Sequence, residues 1–142
     1  MHEYRKAGCY GLSIGNESGS PTMMRNLGKN FIVEQVAESC RLCRELGIQY
    51  TCFLLLGGPG ENRKTVDESI SLMERLKPTH LSINIGIRIY PNTELARIAR
   101  EEGVIASQDD LIFPAFYLSR EIKDWIFDYV KEVRERNGWK AP

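Results

Sequence analysis

Three times in succession this chain runs from an apolar stretch through a polar turn into an amphipathic helix. That order dictates parallel strands joined by crossover helices. The first unit opens with Cys9-Tyr10-Gly11-Leu12-Ser13-Ile14-Gly15. Tyr10, Leu12 and Ile14 alternate with small residues, which is the period of a strand. One face is large and apolar; the other, with Cys9, Gly11, Ser13 and Gly15, leaves room for something to approach. The turn Asn16–Pro21 follows, then Ile32, Val36, Cys40, Cys43 and Gly47 mark one helical face, with Asn30 as N-cap and Gly47 as the stop.

The second unit, Ile48–Leu56, is nearly all apolar and rich in strand formers, the pattern of a strand covered on both faces. It ends in Gly57-Gly58-Pro59-Gly60-Glu61-Asn62. Thr65 and Glu68 have capping-box spacing, with Asn62 as the other candidate cap. Val66, Ile70, Met73 and Lys77 then follow one helical face, and Pro78 ends the helix. In the third unit Leu81, Ile83, Ile85, Ile87 and Ile89 alternate with Ser82, Asn84, Gly86, Arg88 and Tyr90, the cleanest period of two in the chain. Pro91–Glu94 turns into a short helix through Leu95, Ile98 and Ala99, stopped by Gly103. Beyond residue 103 the repeat ends. Residues 104–119 read as a loop with an aromatic patch of Phe113, Phe116 and Tyr117, and Ser119 caps a final amphipathic helix carrying Ile122, Trp125, Ile126, Tyr129 and Val133.

At 142 residues the chain is one domain with a real core. It is too short for an eight-unit barrel of about 250 residues; a small open sheet and a part of a barrel both remain open. Apolar residues at 42% and charged residues at 27% exclude disorder. Nineteen basic against 19 acidic side chains argue against a general nucleic-acid binder. No apolar run reaches the roughly 18 residues of a membrane span, and residues 1–6 contain no apolar signal core. The four cysteines are not a dense secreted scaffold, so a reducing cytoplasm is expected.

In parallel α/β folds the ligand site lies at the C-terminal ends of the strands. Asn16–Pro21, Gly57–Asn62 and Pro91–Glu94 are all expected there, on one face. Bare glycine backbone at a helix N-terminus can offer N–H donors to a ligand or merely form a tight turn. Glu17 and Ser18 suit a ribose hydroxyl or an ammonium group, or else turn formation. Lys29, just before a helix, reads alone as a solvated surface charge. Arg88, a charge on a strand face, needs a partner or water, unless it snorkels from the strand end. Cys40 and Cys43 form a C-x-x-C, but mid-helix on the apolar side, so they read as buried structural cysteines. No catalytic triad and no metal site is assembled from two histidines in these positions.

Taken together, Gly15-Asn16-Glu17-Ser18, the run to Leu27-Gly28-Lys29, Phe53–Glu61 and Tyr90–Leu95 resemble the second half of a radical S-adenosylmethionine enzyme core, over roughly residues 4 to 103. The resemblance is to the large group that includes cobalamin-dependent members and the anaerobic cyclases and oxidases of tetrapyrrole synthesis. It implies an α/β fold: three consecutive parallel β/α units forming half of an open, TIM-like six-unit barrel over residues 1–103, followed by a loop and C-terminal helix over 104–142. It further implies S-adenosylmethionine contacts from Ser13, Glu17, Ser18, Lys29, Leu55, Gly57, Ile87 and Arg88. Lys29 would meet the cofactor carboxylate, Glu17 would contact the cofactor, and Leu55, Gly57 and Ile87 would neighbour the adenine. Phe53 stands where some relatives carry an acidic ribose ligand, and Asn62 and Asn92 stand where Thr and Gly are commoner. The family's four-iron cluster is held by C-x-x-x-C-x-x-C, a spacing that none of Cys9, Cys40, Cys43 and Cys52 has.

The expectation is therefore the C-terminal half of such a core, inactive alone. Its partners would be the missing N-terminal half, which holds the 4Fe-4S cluster, and a small-molecule substrate, with cobalamin a further candidate cofactor of the parent. No nucleic acid or membrane partner is expected. The competing readings are a non-catalytic α/β module that self-associates or folds its last helix over the open face, and a small enzyme binding phosphate at Gly57–Asn62.

Overall fold

The computed structural model describes residues 2–107 and 109–140. After a short helix α1 (His2–Lys6), three strands, β1 (Gly11–Glu17), β2 (Gln49–Leu56) and β3 (His80–Ile85), form one all-parallel sheet in that order. The register places Ile14, Cys52 and Leu81 side by side on one face and Ser13, Thr51 and His80 on the other. The first face is the packed one. Tyr50, Cys52, Leu54 and Leu56 are buried on it, against helices α3 (Val33–Glu45) and α4 (Arg63–Leu76). The covered face of α4 carries Val66, Ile70 and Met73 as the spacing predicts, with Leu72 and Leu76 also buried. Asn62 is its cap: the side chain accepts from Thr65 N while Thr65 Oγ1 accepts from Asn62 N.

Several expectations shift. β1 begins at Gly11, so Tyr10 lies outside the strand and is 78% exposed instead of facing the core. The helix expected from Asn30 starts at Val33, where Gln35 Oε1 accepts from Ile32 N at 3.0 Å. A short helix α2 (Pro21–Asn26) precedes it, with the proline at its first turn. β2 is not covered on both faces: Thr51, Phe53 and Leu55 alternate half-buried with the buried set.

The long isoleucine run is not one strand. It breaks at Gly86, whose φ is 87° and whose N–H donates to Leu56 O at 2.7 Å. β4 (Ile87–Arg88) then leaves the parallel sheet and pairs antiparallel with β5 (Phe116–Tyr117). Helix α5 (Glu94–Glu101), capped by Thr93, packs with Ile89, Ile105 and Tyr117 in a small second cluster. The last helix, α6 (Ile126–Asn137), starts at Ile126; Ser119 opens a run of turns before it. Ile122, Ile126, Val130 and Val133 join the main core with Ile83. Thus α6, not α5, shares the core of the third parallel strand. It adds to the face that α3 and α4 already cover, and no helix among the described residues covers the other sheet face, whose edge Trp139 and Lys140 reach beside Thr51, Phe53 and Ser82.

Candidate functional site at the strand ends

The chain leaves β1 through an irregularity between Ile14 and Glu17. Asn16 is fully buried, and its amide nitrogen, turned toward the carbonyls of Phe53 and Ile14, lies 3.2 Å from both. Glu17 adopts a left-handed φ of 59°, uncommon for a residue with a side chain. Ser18 is also buried, at 3.0 Å from Ser69 Oγ on α4, and its own Oγ accepts from Ser20 N at 3.0 Å. Gly19 N donates to Ser69 Oγ at 2.9 Å, and a Cβ on Gly19 would stand 2.8 Å from Ser69 Cα and Leu72 Cβ. Bare backbone here lets the turn lie directly on α4.

Glu17 is thus the side chain of this turn that is left for outside work. Its carboxylate curls back, with Oε1 4.0 Å from where a Cβ on Gly15 would be, on the side of the sheet that no helix among the described residues covers. Its Oε2 pairs with Lys29 Nζ at 2.7 Å. Lys29 is delivered by the turn at Gly28 (φ 67°), where Lys29 N donates to Met24 O at 2.9 Å. Its ammonium also lies 5.9 Å from the Phe31 ring centre.

The loop after β2 is held from inside. Glu61 has no exposed surface. Gly57 N donates to its Oε2 at 2.8 Å and Thr65 Oγ1 lies 3.2 Å from its Oε1. Burial pushes its carboxyl above the usual range, opposed by bonds from Gly57, Thr65 and Gly58. The loop therefore carries its own buried carboxyl, and the Gly57 amide that a phosphate would need is already engaged. That counts against the phosphate reading. Asn26 Nδ2 donates to Pro59 O at 3.0 Å, joining the loop to α2. A Cβ on Gly58 would meet Met23 Cε at 3.1 Å and Ile87 Cδ1 at 3.2 Å. From the far side, Ser119 N donates to Gly57 O at 2.9 Å and Ser119 Oγ to Glu61 O at 2.8 Å.

The expected site residues separate accordingly. Glu17, Lys29, Ser13 and Leu55 border the open sheet face, and Ile87 closes on Gly58 beside them. Ser18 faces α4. Gly57 has both its N–H and its carbonyl bonded within the protein. Arg88 is exposed on β4, its guanidinium 5.0 Å from the Tyr90 ring centre. The Pro91–Glu94 turn closes on itself, through Thr93 Oγ1 to Tyr90 O at 2.7 Å. Of the clamps on these loops, Ser69 escaped the sequence reading, and Ser119, read there as a helix cap, holds the loop after β2 instead. A serine in the apolar stripe of α4, between Val66 and Met73, was the available signal for the first.

Cys40, Cys43 and Cys52 are buried in the main core, with Cys40 Sγ and Cys52 Sγ 4.0 Å apart. Burial pushes the Cys43 thiol up. Among the described residues no group of His, Cys, Asp and Glu is placed to hold a metal ion. These cysteines do not fit a four-iron cluster. No helix among the described residues is long and apolar enough to cross a membrane.

No family model matches the sequence. The chain is 25% identical over 91 residues to an uncharacterized methyltransferase, PH0819, of Pyrococcus horikoshii. It is 28% identical over 93 residues to a tRNA-2-methylthio-N(6)-dimethylallyladenosine synthase of Pelobacter propionicus. It spans about a fifth of the length of each (20% and 21%). In structure it is similar to the radical S-adenosylmethionine methyltransferase TsrM of Kitasatospora setae, solved with tryptophan substrate and a S-adenosylmethionine analogue. The TM-score is 0.74 at 21% identity, covering 93% of this chain and 32% of that one. A second structure of TsrM, with cobalamin and a [4Fe-4S] cluster bound, matches with a TM-score of 0.62 at 28% identity, over 72% of this chain and 19% of that one. The resemblance to radical S-adenosylmethionine enzymes read from the sequence is borne out: this chain has the fold of part of one.

Proposed function

We propose that this chain is the second half of a radical S-adenosylmethionine core and that it binds the cofactor across the open face of its sheet, at the C-terminal strand ends. The observation that carries the reading is the Glu17–Lys29 pair over Gly15. It sets a carboxylate and an ammonium beside an apolar surface formed by half-buried Phe53 and Leu55. The adenine would lie against Leu55 and Ile87, the ribose hydroxyls would donate to Glu17, and the cofactor carboxylate would take Lys29. Ser13, small and exposed, leaves space for that approach. Ser18 and Gly57 would serve by holding the two loops, since their polar groups are engaged elsewhere.

A four-iron cluster held outside these residues would supply the electron for reductive cleavage of S-adenosylmethionine. The cysteines of this chain do not hold one, so its ligands would belong to a first half of the barrel carrying C-x-x-x-C-x-x-C. The reaction of the whole enzyme would be hydrogen abstraction from a small-molecule substrate. Methyl transfer, with cobalamin, is the form of this chemistry that the names of the similar proteins favour.

The test is an amide NMR titration of the chain with S-adenosylmethionine. Shifts concentrated at Gly15–Ser18, Lys29, Leu55–Gly58 and Ile87 are expected, with weak affinity. No perturbation at millimolar cofactor would remove the reading. With dithionite as reductant, the chain alone is expected to release no 5′-deoxyadenosine; release would overturn its inactivity. The second reading, a self-associating module without chemistry, is favoured by the open sheet face, and it predicts association without any cofactor response.

A further inference from the structure

We propose that the Glu17–Lys29 pair is a latch that closes the ligand site on itself and opens only to a ligand offering a carboxylate and vicinal hydroxyls together. The inference rests on the cofactor reading above and adds a rule of selection to it.

Each partner competes with the ligand for the other. Lys29 Nζ already has an anion at 2.7 Å, and Glu17 Oε2 already has a cation. Their side chains are 22% and 30% exposed, so neither regains full hydration when the contact breaks. The pair is also built in place. Buried Asn16 and Ser18 fix the backbone on both sides of Glu17, and its left-handed φ of 59° aims the carboxylate over Gly15. Lys29 is held by its backbone bond to Met24 O.

A ligand that takes one partner orphans the other. A carboxylate alone would capture Lys29 and strand Glu17; a ribose alone would capture Glu17 and strand Lys29. A nucleoside bearing an amino-acid carboxylate replaces both contacts at once. The latch thus favours S-adenosylmethionine and S-adenosylhomocysteine over 5′-methylthioadenosine, which has the same adenosine and no carboxylate.

Two substitutions separate a latch from two independent contacts, with calorimetric or NMR affinities as the readout and amide spectra as the check on folding. Glu17→Gln frees Lys29 and keeps a hydrogen-bonding group for the ribose. Affinity for S-adenosylhomocysteine is expected to rise, by up to about five-fold, the ceiling for a partly exposed ion pair. Lys29→Met frees Glu17. Affinity for 5′-methylthioadenosine is expected to rise by a similar factor while that for S-adenosylhomocysteine falls. If Glu17→Gln weakens S-adenosylhomocysteine, or Lys29→Met leaves 5′-methylthioadenosine unchanged, the contacts are independent and the latch is wrong while the cofactor site stands. If neither compound binds the parent chain or either variant, the cofactor site fails and the latch fails with it.

Discussion

Glu61 shows how one side chain can set the shape of a site it does not enter. Its buried carboxyl accepts from Gly57 N and sits against Thr65 Oγ1, so the loop after β2 is folded around an acidic side chain of its own. Burial raises its folded pKa above the ordinary 4.5. As pH rises, the unfolded chain releases this proton before the folded one does. The stability from this group is complete below the ordinary value and is lost as pH climbs through the raised one. Glu61→Gln is expected to abolish that share of the pH slope. It should also cost about 1–3 kcal/mol, because one of the two acceptor oxygens, which face Gly57 N and Thr65 Oγ1, is replaced by a donor. Urea unfolding from acid to neutral pH reads both effects, and an unchanged slope in the variant would place its source elsewhere.

The helices α3, α4, α5 and α6 divide between two hydrophobic clusters. α3, α4 and α6 share the main core with all three parallel strands, whereas α5 packs with β4 and β5 around Ile89, Ala96, Ala99, Ile105 and Tyr117. The smaller group rests on a ladder of two residues per strand, so it is expected to open at lower free energy. Ile126→Ala should cost about 2–5 kcal/mol, as for other core truncations. In native-state hydrogen exchange it should lower protection at Cys52 and Leu54 without changing protection in α5. A parallel loss in α5 would show one cooperative unit in place of two.

Across the whole molecule the imbalance is between two sheet faces. One is packed by three helices; the other leaves Phe53 and Leu55 half-exposed, and β1 has a strand partner on one side only among the described residues. β3 ends the sheet on the other side, where Arg134 donates to Ile83 O at 3.3 Å. Such a face and such edges favour association. Sedimentation velocity is expected to show concentration-dependent association of the chain, and Phe53→Lys should shift it to monomer with the fold intact. A parent chain that stays monomeric at every concentration would refute this.

What was legible in the sequence was what neighbouring residues decide. The presence of the first two strands, the α4 face, Asn62 as a candidate cap, and the convergence of the first two loops follow from period, turn chemistry and parallel topology. The placement of Glu17 and Lys29 came from motif order, which carries no distance. Only the tertiary structure decided the rest, because each case is a choice between partners far apart in the chain. The isoleucine run continues unbroken through Gly86, yet the strand ends there because Gly86 N turns to Leu56 O and the chain beyond pairs with Phe116–Tyr117. Two amphipathic helices compete to complete the core beside β3, and α6 prevails because its buried stripe meets Ile83 while α5 packs on Ile89. Ser18 had the same local signature as Glu17, and only a serine 51 residues away on α4 turned it inward.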